Sequence, residues 1–320
     1  MIQIDDYLRA ATRDNTRKSY RAAVNHFEAE WGGFLPATAD SIVRYLAAYA
    51  GVLAHNTLKQ RISALGQWHV DQGFPDPTKA PVVRKMLRGI QELHPAQEKR
   101  AKPLQLDALE QTCAWLEQQR EQARHQGRFG DLLRHTRDKA LLLIGFWRGF
   151  RSDELARLEI DRIEAVAGEG MTIYLPRTKT DRSLKGTTYK TPALSKLCPV
   201  AAYLDWLAIS GLKSGGVIRG IDRWGTISEG AVNAASIIPL FRRILKTAGV
   251  TDVHLYSSHS LRRGFASWAS ANGWEMRALM EYVGWKNVSS ASRYVDSPDP
   301  YHREMLERLI PKTPPLLEQS

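Results

Sequence analysis

Apolar residues recur at helical spacing through the first hundred positions. Tyr20, Val24 and Phe27 share one face of the stretch RKSYRAAVNHFEAEW, which Asn15-Thr16 would cap and Gly32-Gly33 would end. Ala39-Asp40-Ser41 opens a second helix over IVRYLAAYAGVLA, and Asn56-Thr57 a third over LKQRISALGQWHVDQG, closed by Gly73. Pro75 and Pro77 mark a loop. Pro81 then stands at the first position of PVVRKMLRGIQEL, where a missing N–H costs nothing. No run here alternates with period two, so this part is expected to be all helical. The polar stretch HPAQEKRAKPL, bounded by Pro95 and Pro103, can join neither flanking helix and reads as a linker.

Beyond it, LDALEQTCAWLEQQ is again helical, followed by a polar stretch to Arg134. HTRDKALLLIGFWRGF (His135 to Phe150) is apolar enough for a buried central helix, and RSDELARLEI begins another. In MTIYLPRTKTDRSLKGTTYKTPAL, β-branched residues, a proline and the Gly186 turn predict a hairpin or small sheet. VAAYLDWLAI and AVNAASIIPLFRRILKTAG return to helix. HSLRRGFASW starts a further one, with Ser260 as N-cap, Phe265, Trp268 and Ala269 on one side, and Asn272-Gly273 as its stop. The pattern predicts a mainly α protein with a small β-sheet. It comprises a helical domain over 1–94, a linker over 95–103, a mixed α/β domain over 104–300 and a tail over 301–320.

Charge changes the picture more than composition does. Hydrophobic and charged fractions of 43% and 25% are ordinary for a globular protein, but 45 basic against 34 acidic residues leave a net charge of +11. The excess is shared almost evenly between the residues up to Pro103 and those after it. A polyanion gripped along its length fits this better than a basic tail on a neutral body. Candidate contacts are Arg17, Lys18 and Arg21; Lys59 and Arg61; Arg84, Lys85 and Arg88; and Lys99, Arg100 and Lys102 in the linker. Each cluster alone also fits a solvated helix face. Cys113 and Cys198 lie far apart without metal-ligand spacing, which argues against a disulfide scaffold or a zinc site. The N-terminus lacks a secretory apolar core, and ALLLIGFW is too short to span a bilayer; a cytoplasmic protein is expected. Gly215-Gly216 lacks the Lys-Ser/Thr pair of a nucleotide-binding loop.

HSLRRGF poses the chemical question. A helix start is already positive, so a histidine and two arginines there need a compensating anion. Three other stretches also put chemistry at element edges. RGFRSDEL has Arg151 where a helix should begin and Glu154 three residues on. PRTKTDR has Lys179 in or beside the hairpin turn. GWKNVSSASRYV has Trp285 and, nine residues later, Tyr294.

In this order the four stretches resemble the tyrosine recombinase (phage integrase) family, its Cre-like members in particular, over most of the chain. The resemblance implies a catalytic set of Arg151, Glu154, Lys179, His259, Arg262, Trp285 and Tyr294. Most members have histidine where Trp285 stands. Lys185 and Lys190 remain alternatives to Lys179, Tyr282 is the next candidate nucleophile, and Arg148 and Arg263 fall outside the set. The residue types suit phosphoryl transfer: guanidinium is planar, permanently charged and bidentate toward phosphate, and a tyrosine hydroxyl needs a positive field to become a nucleophile. Glu154 would hold an arginine or the histidine, His259 would donate to a phosphate oxygen or take the tyrosine proton, and Trp285 can only donate. Lys179 would protonate the departing 5′ oxygen.

The resemblance further implies a helical core-binding domain and a catalytic domain closing as a C-shaped clamp on double-stranded DNA. A homotetramer would act on two synapsed sites with short inverted-repeat cores and pass through a Holliday junction, without metal, ATP or other cofactor. In the tail, Met305, Leu306, Leu309 and Ile310 would form an apolar patch for a neighbouring protomer. Two rivals are a type IB topoisomerase-like enzyme and a DNA-binding architectural protein with a dead site.

Overall fold

The computed structural model describes residues 7, 12, 14–95, 100–176, 178 and 185–294. Lys99, Lys179 and the tail patch over Met305–Ile310 lie outside the described residues. The chain divides into two compact units, residues 1–99 and 100–320.

The first unit is helical: α1 (Asp14–Asn25), α2 (Ala39–Tyr49), α3 (His55–Asp71) and α4 (Pro81–Leu93). α1 runs on into one wider turn, His26–Glu30, in which the Trp31 N–H reaches back five residues to the His26 carbonyl. Helix starts differ slightly from the expected caps. Asn15 already lies inside α1, α3 begins at His55 without a side-chain cap, and α2 is capped by Thr38, whose hydroxyl accepts the Ser41 N–H at 3.2 Å. Phe27, Ile42, Tyr45, Leu46, Leu58, Leu65 and Val83 form its core. α4 buries Val83 and Ile90 and leaves Arg84, Lys85 and Arg88 exposed.

The second unit is built on α6 (Phe129–Arg148), which packs against α5 (Leu106–His125) and is buried throughout its Ala140–Phe146 stretch. α6 starts earlier than the apolar pattern predicts. Its polar first turns are held by ion pairs of Asp131 with Arg128 (2.9 Å) and Arg134 (2.7 Å), a helical signal that hydrophobicity does not carry. After the short α7 (Ser152–Ala156) come β1 (Ile163–Val166), β2 (Gly170–Leu175) and β3 (Thr187–Pro192), an antiparallel sheet in that order. Met171, Ile173 and Leu175 point inward, opposite Thr191, Tyr189 and Thr187, and one-sided burial pins this register.

α8 (Pro199–Ser210) leads to a two-stranded hairpin, β4 (Arg219–Ile221) and β5 (Ile227–Ala231), that periodicity misses. Both strands are short, β4 half-buried along its length and β5 mostly exposed, so no apolar alternation marks them. α9 (Ala234–Thr247) therefore starts at Asn233, its cap, rather than at Ala231. α10 (Ser260–Ala271), α11 (Met276–Val283) and α12 (Val288–Ser292) follow. The chain ahead of α5 lies on α10: the Lys102 N–H donates to the Leu255 carbonyl and the Leu104 N–H to that of Ser260, each at 3.0 Å.

Candidate active site

Four element ends meet in the second unit. Gly149, in the left-handed region at φ +57°, ends α6 and turns the chain so that Arg151 becomes the N-cap of α7. Glu154, in the first turn of α7, reaches back: one carboxylate oxygen accepts the Arg151 backbone N–H and the other accepts Arg151 Nη1, both at 2.8 Å. An acid at a helix start is electrostatically favoured, and this one is only 2% exposed.

Arg262, in the first turn of α10 and 1% exposed, ties the other ends together. Its Nε donates to the Gly149 carbonyl at 2.6 Å, and its Nη2 to the Val283 carbonyl in the last turn of α11 at 3.2 Å. The same Nη2 lies 3.5 Å from Glu154. Burial pushes the Arg262 pKa down to about 10, opposed by the Glu154 charge, so the guanidinium is still protonated at neutral pH. Its Nη1 and the Trp285 Nε1 are both buried and have no hydrogen-bond partner among the described residues.

His259, not Ser260, occupies the cap position of α10. The Ser260 hydroxyl instead accepts the Ser257 N–H at 2.8 Å, fixing the turn that presents His259. His259 Nδ1 and the Tyr294 hydroxyl are 2.9 Å apart. The Tyr294 ring stacks on Trp285 with centroids 5.2 Å apart, and the Arg262 guanidinium lies 5.6 Å from the Trp285 ring centre. Arg151, Glu154, His259, Arg262, Trp285 and Tyr294 are thus gathered in one place. Of the alternative lysines, Lys185 is exposed ahead of β3, and Lys190 lies on the sheet face opposite inward-pointing Tyr189.

Tyr282 is committed to packing, stacked on Phe265 at 5.1 Å with the Arg148 guanidinium 3.8 Å from its ring centre. Arg148 is itself buried and donates to the carbonyls of Lys190 (3.0 Å) and Tyr282, while Arg263 donates to the Arg293 carbonyl at 3.0 Å. Sequence reasoning passed over Tyr189, which is buried beside the site. Its pKa is raised by burial and then by Glu154, against the pull of Arg262, Arg148 and Arg151. Its only sequence signal is an inward position on a strand.

The basic residues divide. Lys18, Arg21, Lys59, Arg84, Lys85, Arg88 and Arg100 are exposed. Arg17 pairs with Asp14, Arg61 donates to the Tyr45 hydroxyl at 3.2 Å, and Lys102 pairs with Asp252 at 3.4 Å. Among the described residues, no three His, Cys, Asp or Glu side chains are grouped to hold a metal. Among them, too, no helix is long and apolar enough to cross a membrane.

The phage integrase family model matches residues 132–299, more than half of the chain and the whole of the site just described. The chain belongs to the phage integrase family. This family member is 25% identical over 315 residues to an integrase/recombinase xerD homolog of Selenomonas ruminantium, spanning 95% of the chain and 88% of that relative. It is 25% identical over 279 residues to recombinase cre of Escherichia phage P1, spanning 83% and 78%. Its fold is shared with the Tn1549 transposon integrase in complex with transposon right end DNA (TM-score 0.62, 14% identity, 95% and 96% covered). It is also shared with a lambda integrase dimer bound to a core site (TM-score 0.56, 16% identity, 90% and 91% covered).

Proposed function

We propose that this phage integrase family member, a site-specific DNA recombinase, cleaves and rejoins duplex DNA with Tyr294 as its nucleophile. The Tyr294 hydroxyl oxygen bonds to the scissile phosphorus as the bond from phosphorus to the 5′ oxygen breaks. The phenolic proton passes to His259, and Lys179 gives a proton to the departing 5′ oxygen. Arg151, Arg262 and the Trp285 N–H meet the charge on the non-bridging oxygens, and Glu154 keeps both arginines in place. A 3′-phosphotyrosine keeps the bond energy, and attack by a 5′-hydroxyl of a partner duplex reverses the step without a nucleotide cofactor.

One observation carries the reading: beside the His259–Tyr294 pair, two buried donors, Arg262 Nη1 and Trp285 Nε1, have no partner among the described residues. A buried donor left unpaired costs about 1–3 kcal/mol, and a phosphate oxygen bound there would offset that cost. The relatives' core-site and transposon-end complexes support duplex DNA as the partner. A homotetramer on two synapsed inverted-repeat sites is the assembly this chemistry fits, since each protomer cuts one strand.

The test uses a duplex selected by binding from a random pool and nicked so that the cleaved end is lost. The wild-type chain accumulates a covalent adduct, and Tyr294→Phe binds the duplex but forms none. Adduct persisting in Tyr294→Phe would move the nucleophile elsewhere. Cleavage should continue in EDTA; loss that magnesium restores would overturn the metal-free scheme.

A further inference from the structure

Resting on Tyr294 as the nucleophile, the geometry points to Arg263 as the residue that positions it: we propose that its bond to the Arg293 carbonyl holds the tyrosine in its firing position. Among the described residues, the backbone of the segment carrying Tyr294 has few anchors outside its own turn. α12 has five residues, of which only Ala291 is buried, and Val288 is 58% exposed. So short a helix is unstable by itself, and one buried alanine adds little.

The 293–294 peptide is held at both edges. The Tyr294 N–H donates to the Ala291 carbonyl at 2.8 Å, and the Arg293 carbonyl accepts Arg263 Nη1 at 3.0 Å. Because a peptide unit is planar, fixing its N–H and its carbonyl fixes the Cα of Tyr294. The first bond is local to α12 and moves with it; the second reaches α10. Arg263 is 6% exposed and follows Arg262 directly, so one helix turn holds both a phosphate ligand and the strut of the nucleophile. With that strut in place, the Tyr294 ring lies on Trp285 and its hydroxyl on His259.

The experiment separates delivery of tyrosine from activation of phosphate. On the nicked duplex, Arg263→Ala should slow adduct formation about 100-fold, the scale of a 1 Å misplacement of a reacting group, while duplex affinity is unchanged. Arg263→Lys, which still offers one donor, should recover part of the rate. The second arm uses a strand ending in a 3′-(4-nitrophenyl) phosphate in the Tyr294→Phe background. There the 5′-hydroxyl of the abutting strand bonds to phosphorus, its proton goes to solvent, and nitrophenolate leaves with the electron pair. This joining needs the phosphate ligands but no tyrosine, so adding Arg263→Ala should leave its rate unchanged. An equal loss in both arms would make Arg263 a residue of the phosphate pocket or the fold, and an unchanged cleavage rate would make the bond idle. Either result overturns the proposal. Failure of the Tyr294 reading itself shows separately, as adduct formed by Tyr294→Phe.

Discussion

Trp285 and Glu154 show how much a single side chain decides in this site. Trp285→Phe keeps the ring against Tyr294 but removes the buried, unpartnered N–H. Cleavage should fall about 10²-fold, the effect of deleting one donor to a transition-state oxygen, while the melting temperature holds or rises. An unchanged rate would remove Trp285 from the phosphate ligands. Glu154→Ala should act in the opposite sense on the fold, because it strips the carboxylate from between Arg151 and buried Arg262. Breaking a buried pair on one side costs about 3–5 kcal/mol, readable in urea unfolding. For the lysine, Lys179→Ala should block cleavage of an ordinary phosphodiester and recover when sulfur replaces the bridging 5′ oxygen, since a thiolate leaves without a proton. Arg262→Ala should not recover. Rescue of Lys185→Ala or Lys190→Ala in place of Lys179→Ala would reassign the acid.

At the scale of elements, the site depends on how closely the chain ahead of α5 lies against α10. A Cβ on Gly264 would stand 2.0 Å from the Leu104 carbonyl oxygen and 3.0 Å from the Phe146 ring. Both neighbours are constrained, Leu104 by its bond to the Ser260 carbonyl and Phe146 by full burial in the core. Gly264→Ala should therefore destabilise the chain by about 3 kcal/mol or more, the upper end for overpacking, and lower its thermal midpoint. Gly89→Ala, where nothing lies within 4 Å, is the control and should be neutral or slightly stabilising in helix α4. Equal melting of the two variants would mean that the contact with Leu104 relaxes freely.

For the whole molecule the governing quantity is the net charge of +11. Duplex binding should weaken steeply with salt, because each phosphate met by a cation releases condensed counterions. Arg84, Lys85 and Arg88 stand exposed on the polar side of α4, whose apolar side fills the core of the first unit. Replacing all three by glutamine should lower the slope of log K against log salt by about 0.9 for each phosphate no longer neutralised. A slope that does not move would place this helix face in solvent. Arg61→Gln should cost stability as well as affinity, since its guanidinium serves the Tyr45 hydroxyl.

Local signals carried much of this protein in the sequence alone. Helical spacing, Pro81 at a helix start and the all-apolar centre of α6 marked most helices, because those features act within one or two turns. The order of RGFRSDEL, HSLRRGF and GWKNVSSASRYV carried the family, because phosphoryl transfer restricts which residue types can serve. The β4–β5 hairpin was invisible, having no buried alternation to mark it. Tertiary structure alone decided what surrounds the cations at the start of α10. Arg262 is 113 residues from Gly149 and 21 from Val283, and no pattern along the chain connects them. The positive charge at that helix start is met, before any phosphate arrives, by carbonyls at the ends of α6 and α11 and by Glu154. Helix C-terminal ends carry partial negative charge and Glu154 a full one, so three chain segments distant in sequence share one arginine. Arg148 and Arg263, unremarkable in the sequence, hold neighbouring carbonyls for the same reason: a buried guanidinium must find acceptors, and only the fold determines where they are.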